Sequence, residues 1–205
     1  MVTRNRVIEV ASRLFVQNGV KSITIDRIVQ ELHTSKRTIY SHFKDKTALL
    51  EACLAVYHAR VKNENEALIA TASNAIEAMG YLHQRILFRA SQTNPNYFNH
   101  ILHYYPGLLQ KSYRDMGNFA HRQLRYLGEW GIREGLFLAD IDIEVTSKTV
   151  LALLEMLKDT NRFPVSEFSK ERLTFGIMLP YLRGLCTLKG METLKQQEKL
   201  YRVAL

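Results

Sequence analysis

Cysteine, proline and tryptophan are scarce in this chain of 205 residues, which contains two, four and one of them. The two cysteines, Cys53 and Cys186, lie far apart in apolar surroundings, which excludes a disulfide framework and predicts buried free thiols. The chain has no uncharged apolar run of about 18 residues, so no membrane span is expected. The N-terminus lacks the cleavage site of a secretory signal. These absences predict a soluble protein of the cytoplasm.

The motifs of common enzyme classes are also missing. We find no glycine-rich phosphate loop, no HExxH or GxSxG sequence, and no pair of acids on one helix face in a pocket-like context. His100 and His103 lie three residues apart, but no carboxylate or thiol accompanies them. The sequence therefore predicts no catalytic residues, no metal, no cofactor and no enzymatic activity.

Positive charge is concentrated at the N-terminus. The chain carries a net charge of +8, and residues 1–50 supply +5 of it through nine basic and four acidic side chains. Such a distribution is typical of a nucleic-acid-binding module attached to a nearly neutral body. A soluble basic surface without a nucleic-acid partner remains the alternative on charge alone.

Apolar residues recur with helical spacing along most of the chain, and alternating strand patterns are nearly absent. The pattern predicts helices at about 4–18, 25–32, 36–43, from Asp45 onward, and at 74–92. Further helices are predicted from Asn94-Pro95 to before Pro106, then at 108–133, 143–159, 167–188 and 192–201. Within the helix at 167–188, Pro180 predicts a kink. The fold class is therefore all-α.

The segment Thr24 to Lys46, TIDRIVQELHTSKRTIYSHFKDK, has the layout of a helix-turn-helix. Thr24 and Ser35 are good N-cap residues for two short helices, and His33-Thr34 supplies the turn between them. In a helix-turn-helix, the second helix lies in the DNA major groove and presents base-reading side chains outward.

A helical wheel assigns the faces of the second short helix. At about 100° per residue, Ile39 and Phe43 share the inward face, and Arg37 and Ser41 point away from it. Their neighbours on the wheel are Lys36, Thr38, Tyr40 and His42. Guanidinium, hydroxyl and phenol groups suit base edges and phosphates, whereas a solvated basic helix is the plain alternative.

The order of these motifs resembles the DNA-binding domain of the TetR family of bacterial repressors. The most distinctive part is Ile39-Tyr40-x-His42-Phe43-x-x-Lys46 followed by an Ala-Leu-Leu helix, and the similarity covers about residues 5–54. Many members of the family have a small residue, often Gly, at the position of His33, and many have Gly or Ala at the position of Arg37. The resemblance implies DNA-contacting roles for Thr24, Ser35, Lys36, Arg37, Thr38, Tyr40, His42 and Lys46.

The resemblance also implies the organisation of the remaining chain. Residues 1–47 are expected to form the three-helix DNA-binding domain, and a long helix joins it to residues 48–205, a helical effector-binding and dimerisation domain. The two late predicted helices carry more apolar residues than one packing face needs, which favours a homodimer over simple burial in a monomer core. These residues are Leu151, Leu153, Leu154, Leu157, Phe168, Phe175, Met178, Leu179 and Leu182.

Ten of the 20 aromatic residues lie between Tyr81 and Trp130, together with several histidines. Such a concentration is consistent with an apolar cavity that has a few polar tips, and equally with plain core. The predicted ligand-binding residues are Tyr57, His83, Tyr97, His100, Tyr104, Tyr113, Met116 and Phe119.

The sequence therefore predicts a sequence-specific DNA-binding transcriptional regulator, a homodimeric repressor that a small-molecule effector releases from its operator. Three alternatives stay open. The first is a regulator with no small-molecule inducer, and the second is a nucleoid-type protein that binds DNA without sequence preference. The third is an enzyme with no recognisable motif.

Overall fold

The computed structural model describes residues 2–94, 96–157, 162–164 and 166–201, apart from the side chains of Leu109 and Tyr113. The described chain is helical and contains no strand, only an isolated bridge between Phe137 and Cys186. The predicted all-α class is therefore confirmed. The α-helices are α1 (Arg4–Asn18), α2 (Ile25–Glu31), α3 (Lys36–His42), α4 (Lys46–Thr71), α5 (Ala75–Gln92), α6 (Asn96–Tyr104), α7 (Pro106–Arg133), α8 (Ile143–Met156), α9 (Lys170–Leu173), α10 (Leu179–Leu185) and α11 (Leu188–Gln196).

The helices form two compact units. The N-terminal unit comprises Met1–Asn63 and Arg89–Met116, and the C-terminal unit comprises Glu64–Phe88 and Gly117–Leu205. Helices α4, α5 and α7 each contribute residues to both units. The domain boundary placed after residue 47 stays a prediction, since these units include different residues.

Side-chain caps define the first helices. The hydroxyl oxygens of Thr3, Thr24 and Ser35 accept hydrogen bonds from backbone N–H groups in the first turns of α1, α2 and α3. Asp45 Oδ1 accepts the Ala48 N–H at 2.7 Å, at the start of α4. Each cap satisfies a donor that the helix itself leaves unpaired, which is why these helices begin where the sequence predicts.

The turn between α2 and α3 places His33 in a left-handed conformation, with φ at 47°. Its N–H donates to the Gln30 carbonyl at 3.2 Å, and the Thr34 N–H donates to the Val29 carbonyl at 3.1 Å. This pair of bonds is the Schellman arrangement, in which glycine normally occupies the left-handed position. His33, which stands where many TetR-family members have a small residue, therefore occupies a strained backbone conformation.

The core of the N-terminal unit joins α6 to the first four helices. Its buried residues from α6 are Tyr97 and Ile101, which belong to the same hydrophobic cluster as the apolar faces of α1 and α4. Asn94 ties the end of α1 to the residues before α6, since its N–H donates to the Val16 carbonyl at 2.8 Å. Gly19 follows α1 with φ at 77°, and a Cβ there would lie 2.7 Å from His100 Nδ1.

The predicted continuous helix at 167–188 is wrong in detail. Helix α9 passes into a π-helical turn, Thr174–Met178, before α10 begins. Pro180 has no N–H to donate to the carbonyl four residues before it. The π-helical turn ends where the Leu179 N–H donates to the carbonyl of Thr174, five residues earlier. The irregularity therefore takes the form of a π-bulge rather than a simple kink.

Helix α10 ends at Leu185, so Leu188 belongs to the next helix. Cys186 is extended and pairs with Phe137, and the Thr187 side chain caps α11 by accepting the Gly190 N–H. The predicted last helix at 192–201 is α11 followed by a 3₁₀ turn, Glu198–Tyr201. For α8, the predicted end at Asp159 lies outside the described residues, and the helix ends at Met156.

The left-handed turn generates a stability prediction. We expect His33→Val to lower the free energy of unfolding by about 1–2 kcal/mol, because a β-branched side chain resists positive φ. His33→Gly should preserve or raise it, since glycine adopts this conformation without strain. Thermal or urea denaturation measures both values. Thr34→Val is the control at the adjacent position, and equal losses for the valine variants at 33 and 34 would contradict the assignment.

Candidate functional site

Helices α2 and α3 with their turn form the first candidate site. Ile39 is fully buried and Phe43 is 4% exposed, so both lie in the core as the helical wheel predicts. Lys36, Arg37 and Ser41 are exposed, and the Tyr40 ring is 49% exposed. Helix α3 therefore presents a cation-rich, hydroxyl-rich face to its surroundings.

Four of the eight residues predicted to contact DNA also stabilise α2 and α3. Thr24 and Ser35 are the N-caps of α2 and α3. The Thr38 hydroxyl lies 3.0 Å from the Ser35 hydroxyl. Lys36 Nζ lies 2.8 Å from Asp26 Oδ1, and both side chains are more than half exposed, so this ion pair is weakly stabilising.

His42 and Lys46 are half-buried beside the exposed face. His42 Nε2 lies 3.1 Å from the Val2 carbonyl, and Lys46 Nζ donates to the Val20 carbonyl at 2.7 Å. Burial lowers the pKa of Lys46 from its usual value. An ammonium group has three hydrogens, so this lysine keeps donors for a further acceptor.

Arg37 and Tyr40 have no such structural bond. Neither side chain forms a hydrogen bond or ion pair within the described part of the chain. A long exposed cation and a phenol at the centre of the α3 face are suited to contacts outside the protein. The sequence did not single out Arg4, whose guanidinium lies 5.0 Å from the centre of the Phe43 ring.

A cavity of about 150 Å³ in the C-terminal unit is the second candidate site. Residues of α5, α7, α8 and α10 line most of it, together with residues from the segments that join these helices. No Lys, Arg, Asp or Glu is among the lining residues that the structure describes. These residues are Asn65, Met79, Leu82, His83, Ile86, Ala120, Gln123, Leu124, Leu127, Gly128, Phe137, Ile141, Ile143, Thr146, Ser147, Val150, Leu151, Leu154, Met178, Tyr181, Leu182, Leu185 and Tyr201.

His83 is the titratable base of this wall and is buried, at 8% exposure. Its Nε2 lies 3.0 Å from the Thr174 hydroxyl, which itself donates to the Lys170 carbonyl at 2.9 Å. Burial lowers the pKa of His83 to about 4, so the imidazole is neutral near pH 7. A second polar contact in the wall joins Asn65 Nδ2 to Gln123 Oε1 at 3.0 Å.

Of the seven predicted ligand-binding residues whose side chains the structure describes, His83 alone lines this cavity. Phe119 is buried in the same unit without lining it. Tyr57, Tyr97, His100, Tyr104 and Met116 belong to the N-terminal unit, and the Tyr113 side chain lies outside the described atoms. Tyr97 is core, and His100 Nδ1 accepts the Lys21 N–H at 3.3 Å.

Cavity residues of α8, of the π-helical turn and of α10, such as Val150, Leu154, Met178 and Tyr181, were not predicted as ligand-binding residues. Their signal was the excess of apolar residues in the late helices, which pointed to a dimer. Helix α8 buries only Ser147 fully, and Val145 is 58% exposed. The excess of apolar residues in the late helices therefore serves the wall of the cavity and also leaves apolar side chains exposed on α8.

Both cysteine thiols are free, and burial raises the pKa of each to about 11. Cys53 is buried as predicted, but Cys186 is only half-buried. Among the residues that the structure describes, no group of three or more His, Cys, Asp or Glu side chains is placed to hold a metal ion. The same residues include no helix that is long and apolar enough to span a bilayer.

Comparison with known proteins gives a family match for the first candidate site. Residues 7–53 match the family described as bacterial regulatory proteins, tetR family. A stretch of 46 residues is 46% identical to an HTH-type transcriptional regulator of Staphylococcus aureus (strain USA300). That alignment covers 22% of this chain and 25% of the length of the curated relative.

Solved structures match the fold along most of the chain. A transcriptional regulator from Cytophaga hutchinsonii ATCC 33406 aligns with a TM-score of 0.75 at 15% identity, over 89% of this chain and 98% of that one. A transcriptional regulator from Saccharomonospora viridis, solved in complex with choline, aligns with a TM-score of 0.74 at 20% identity. That alignment covers 90% of this chain and 97% of the neighbour.

The buried imidazole generates a pH prediction. Below about pH 6.5 the unfolded chain protonates this histidine, whereas folded His83 stays neutral down to about pH 4. The unfolded state therefore binds more protons in this window, and the free energy of unfolding falls by up to about 3 kcal/mol as pH drops from 7 to 4.

Urea denaturation at a series of pH values measures this dependence, and His83→Phe is the matched variant. The variant should have a flatter pH profile between 4 and 6.5. An NMR titration of His83 with a midpoint near 6.5 would contradict the assigned burial.

Proposed function

We propose that this chain, whose residues 7–53 belong to the TetR family of bacterial regulatory proteins and whose fold is that of the family's regulators, is a sequence-specific DNA-binding repressor. The outward face of α3, held by buried Ile39 and Phe43, is the observation that carries this proposal. The protein acts in the cytoplasm as a homodimer. A small molecule that enters the cavity of the C-terminal unit releases it from its operator.

Helix α3 enters the major groove, and its exposed residues have different roles there. Arg37 reads a base edge, because a guanidinium can donate two hydrogen bonds to guanine. Tyr40 and Lys36 flank it and contact phosphates. Lys36 is already paired with Asp26, so DNA competes with a weak exposed ion pair for this ammonium.

The residues around α3 position it on the DNA backbone. Lys46 and His42 lie where α3 ends and α4 begins, and the remaining N–H groups of the Lys46 ammonium suit phosphate oxygens. Thr24, Ser35 and Thr38 lie at the N-termini of α2 and α3, where free backbone N–H groups attract anions. The concentration of positive charge in residues 1–50 adds a sequence-independent attraction.

A homodimer is supported by the surface of the C-terminal unit. Leu151, Leu153 and Leu154 of α8 are half-buried in the monomer, as is Leu157 directly after the helix, and Val145 is exposed. A second copy of this helix would remove that apolar surface from water. A two-fold dimer also presents two α3 helices to half-sites separated by about one turn of DNA, roughly 34–36 Å.

Release by an effector is supported by the cavity and by the length of α4. This helix contributes Leu49, Leu50 and Cys53 to the core of the N-terminal unit, and Asn65 from the same helix lines the cavity. We propose that ligand in the cavity shifts α4 and changes the spacing of the two α3 helices. The choline found in the Saccharomonospora viridis neighbour supports a small-molecule site in this fold.

Single alanine variants of Arg37 and Lys46 test the DNA-binding roles. We expect Arg37→Ala to relax base preference at one operator position, by about 1–3 kcal/mol, because it removes a base contact. Lys46→Ala should weaken binding to all sequences and lower the salt slope by about one, because it removes a phosphate contact. Fluorescence anisotropy on operator and random DNA, over a range of salt concentrations, gives both quantities.

Lys148→Ala is the charge-matched control, since it removes one exposed cation from the C-terminal unit. Its DNA affinity should equal that of the parent protein. Equal losses on operator and random DNA for Arg37→Ala would contradict its base-reading role. Because Lys46 also bonds the Val20 carbonyl, thermal denaturation of each variant separates lost stability from lost contacts.

Filling the cavity tests release. Ala120 lines it, so Ala120→Leu should leave operator affinity within about twofold and abolish the response to an effector by occupying its volume. Ala90→Leu, at an exposed site in α5, is the matched control and should respond normally. Electrophoretic mobility shifts with and without effector measure the response, and full release of Ala120→Leu would contradict the cavity as the effector site.

A further inference from the structure

The cavity wall restricts the chemistry of any ligand that it holds. Among the described residues, none of the 23 that line the cavity is charged at neutral pH, because His83 is the one titratable base among them and burial keeps it neutral. An ionised ligand inside would have no counter-charge and would lose its hydration. The cavity therefore selects neutral molecules over carboxylates and ammonium ions.

The size of the cavity sets a second restriction. An apolar cavity of ~150 Å³ accommodates a molecule of about the size of benzene. The wall of this cavity is mostly Leu, Ile, Val, Met and aromatic side chains, with little polar surface. A compact ligand with an apolar body of about one ring fits both observations.

The bond between His83 and Thr174 assigns the hydrogen-bonding role of the imidazole. The Thr174 hydroxyl has one hydrogen, which it donates to the Lys170 carbonyl. His83 Nε2, 3.0 Å from the same oxygen, must then be the donor of the second bond. A neutral imidazole that carries its proton on Nε2 offers Nδ1 as an acceptor only.

His83 Nδ1 is the acceptor that this arrangement leaves open. Within the described residues no hydrogen bond to Nδ1 is present. This atom is also not among the fully buried polar atoms that lack a partner, so protein atoms do not enclose it completely. Several other polar groups of the wall already form hydrogen bonds, whereas the Thr146 and Tyr181 hydroxyls form none among the described residues. Asn65 donates to Gln123, Ser147 to the Glu144 carbonyl, and the Tyr201 hydroxyl to the Ile76 carbonyl at 2.8 Å.

We propose that the ligand of this cavity is a small, uncharged hydroxyl compound, a compact alcohol or phenol, whose apolar body fills the cavity and whose O–H donates to Nδ1 of His83. This inference rests on the proposed effector role of the cavity and specifies its ligand class. A donor is required because the open nitrogen accepts only. A hydrocarbon of the same shape leaves that acceptor unpaired, and a charged analogue lacks a counter-ion.

Four probes of nearly equal size test this ligand class. Benzyl alcohol is neutral with a donor, ethylbenzene is its apolar isostere, and benzylammonium and benzoate are the cationic and anionic analogues. Calorimetric titration of the full-length protein should give an affinity for benzyl alcohol about tenfold higher than for ethylbenzene. The two ions should bind at least a hundredfold more weakly than the alcohol.

The variant His83→Phe separates the contribution of the hydrogen bond to ligand affinity from the contribution of the apolar cavity. It keeps a ring in the wall and removes the acceptor, so the alcohol should then bind more weakly than the hydrocarbon, because its hydroxyl loses hydration without gaining this partner. Ile86→Phe reduces the volume of the cavity and leaves His83 in place, so it should weaken binding of both the alcohol and the hydrocarbon. Equal binding of alcohol and hydrocarbon to the parent protein would overturn the role of His83, and tight binding of either ion would overturn the ligand class. The affinities of the four probes for the parent protein test both the role of His83 and the ligand class, even if a variant fails to fold.

Operator release, measured with the same four probes, distinguishes this inference from the proposed function. Selective binding of benzyl alcohol without release of DNA would uphold the ligand class and contradict effector-controlled release. Release by a charged probe that occupies the cavity would uphold that control and overturn the ligand class.

Discussion

Burial of Ile39 and Phe43 is the constraint on which the rest of the N-terminal unit depends. Helix α3 has seven residues, too few to be stable in isolation, so its rotation is set by the side chains that it buries. Each of these two side chains contributes about 1.5–3 kcal/mol when removed from water. Once they are in the core, Arg37 and Tyr40 face outward as a consequence of helical geometry.

The same core extends beyond the helices that carry the exposed face. Tyr97 and Ile101 of α6 join the cluster built by α1 and α4, and Asn94 bonds the Val16 and Gln17 carbonyls at the end of α1. The N-terminal unit therefore depends on residues far along the chain. The C-terminal unit differs, because its apolar interior is incompletely filled and contains the cavity.

Local signals made the first helices predictable from the sequence. Thr24, Ser35 and Asp45 are capping residues whose side chains bond the next turn, so the starts of α2, α3 and α4 follow from residue type alone. The buried face of α3 follows from spacing. Because both signals act within a few residues, no tertiary information was needed to place the exposed Arg37 and Tyr40.

The cavity could not be predicted in this way. Its wall combines residues of separate helices, and the density of aromatic residues between 81 and 130 identified only His83 among them. Tyr97 shows why, since an aromatic side chain at helical spacing fills core as readily as it lines a cavity. The π-bulge before Pro180 likewise depends on how α9 and α10 pack, although the proline itself marked the place.

Selection of bound sequences from random DNA with the purified protein tests the central claim most directly. An outward-facing α3 on each protomer of a two-fold dimer predicts a single enriched motif, a palindrome whose half-sites lie about one helical turn apart. Recovery of unselected sequences with no common motif would contradict the claim that this face reads DNA.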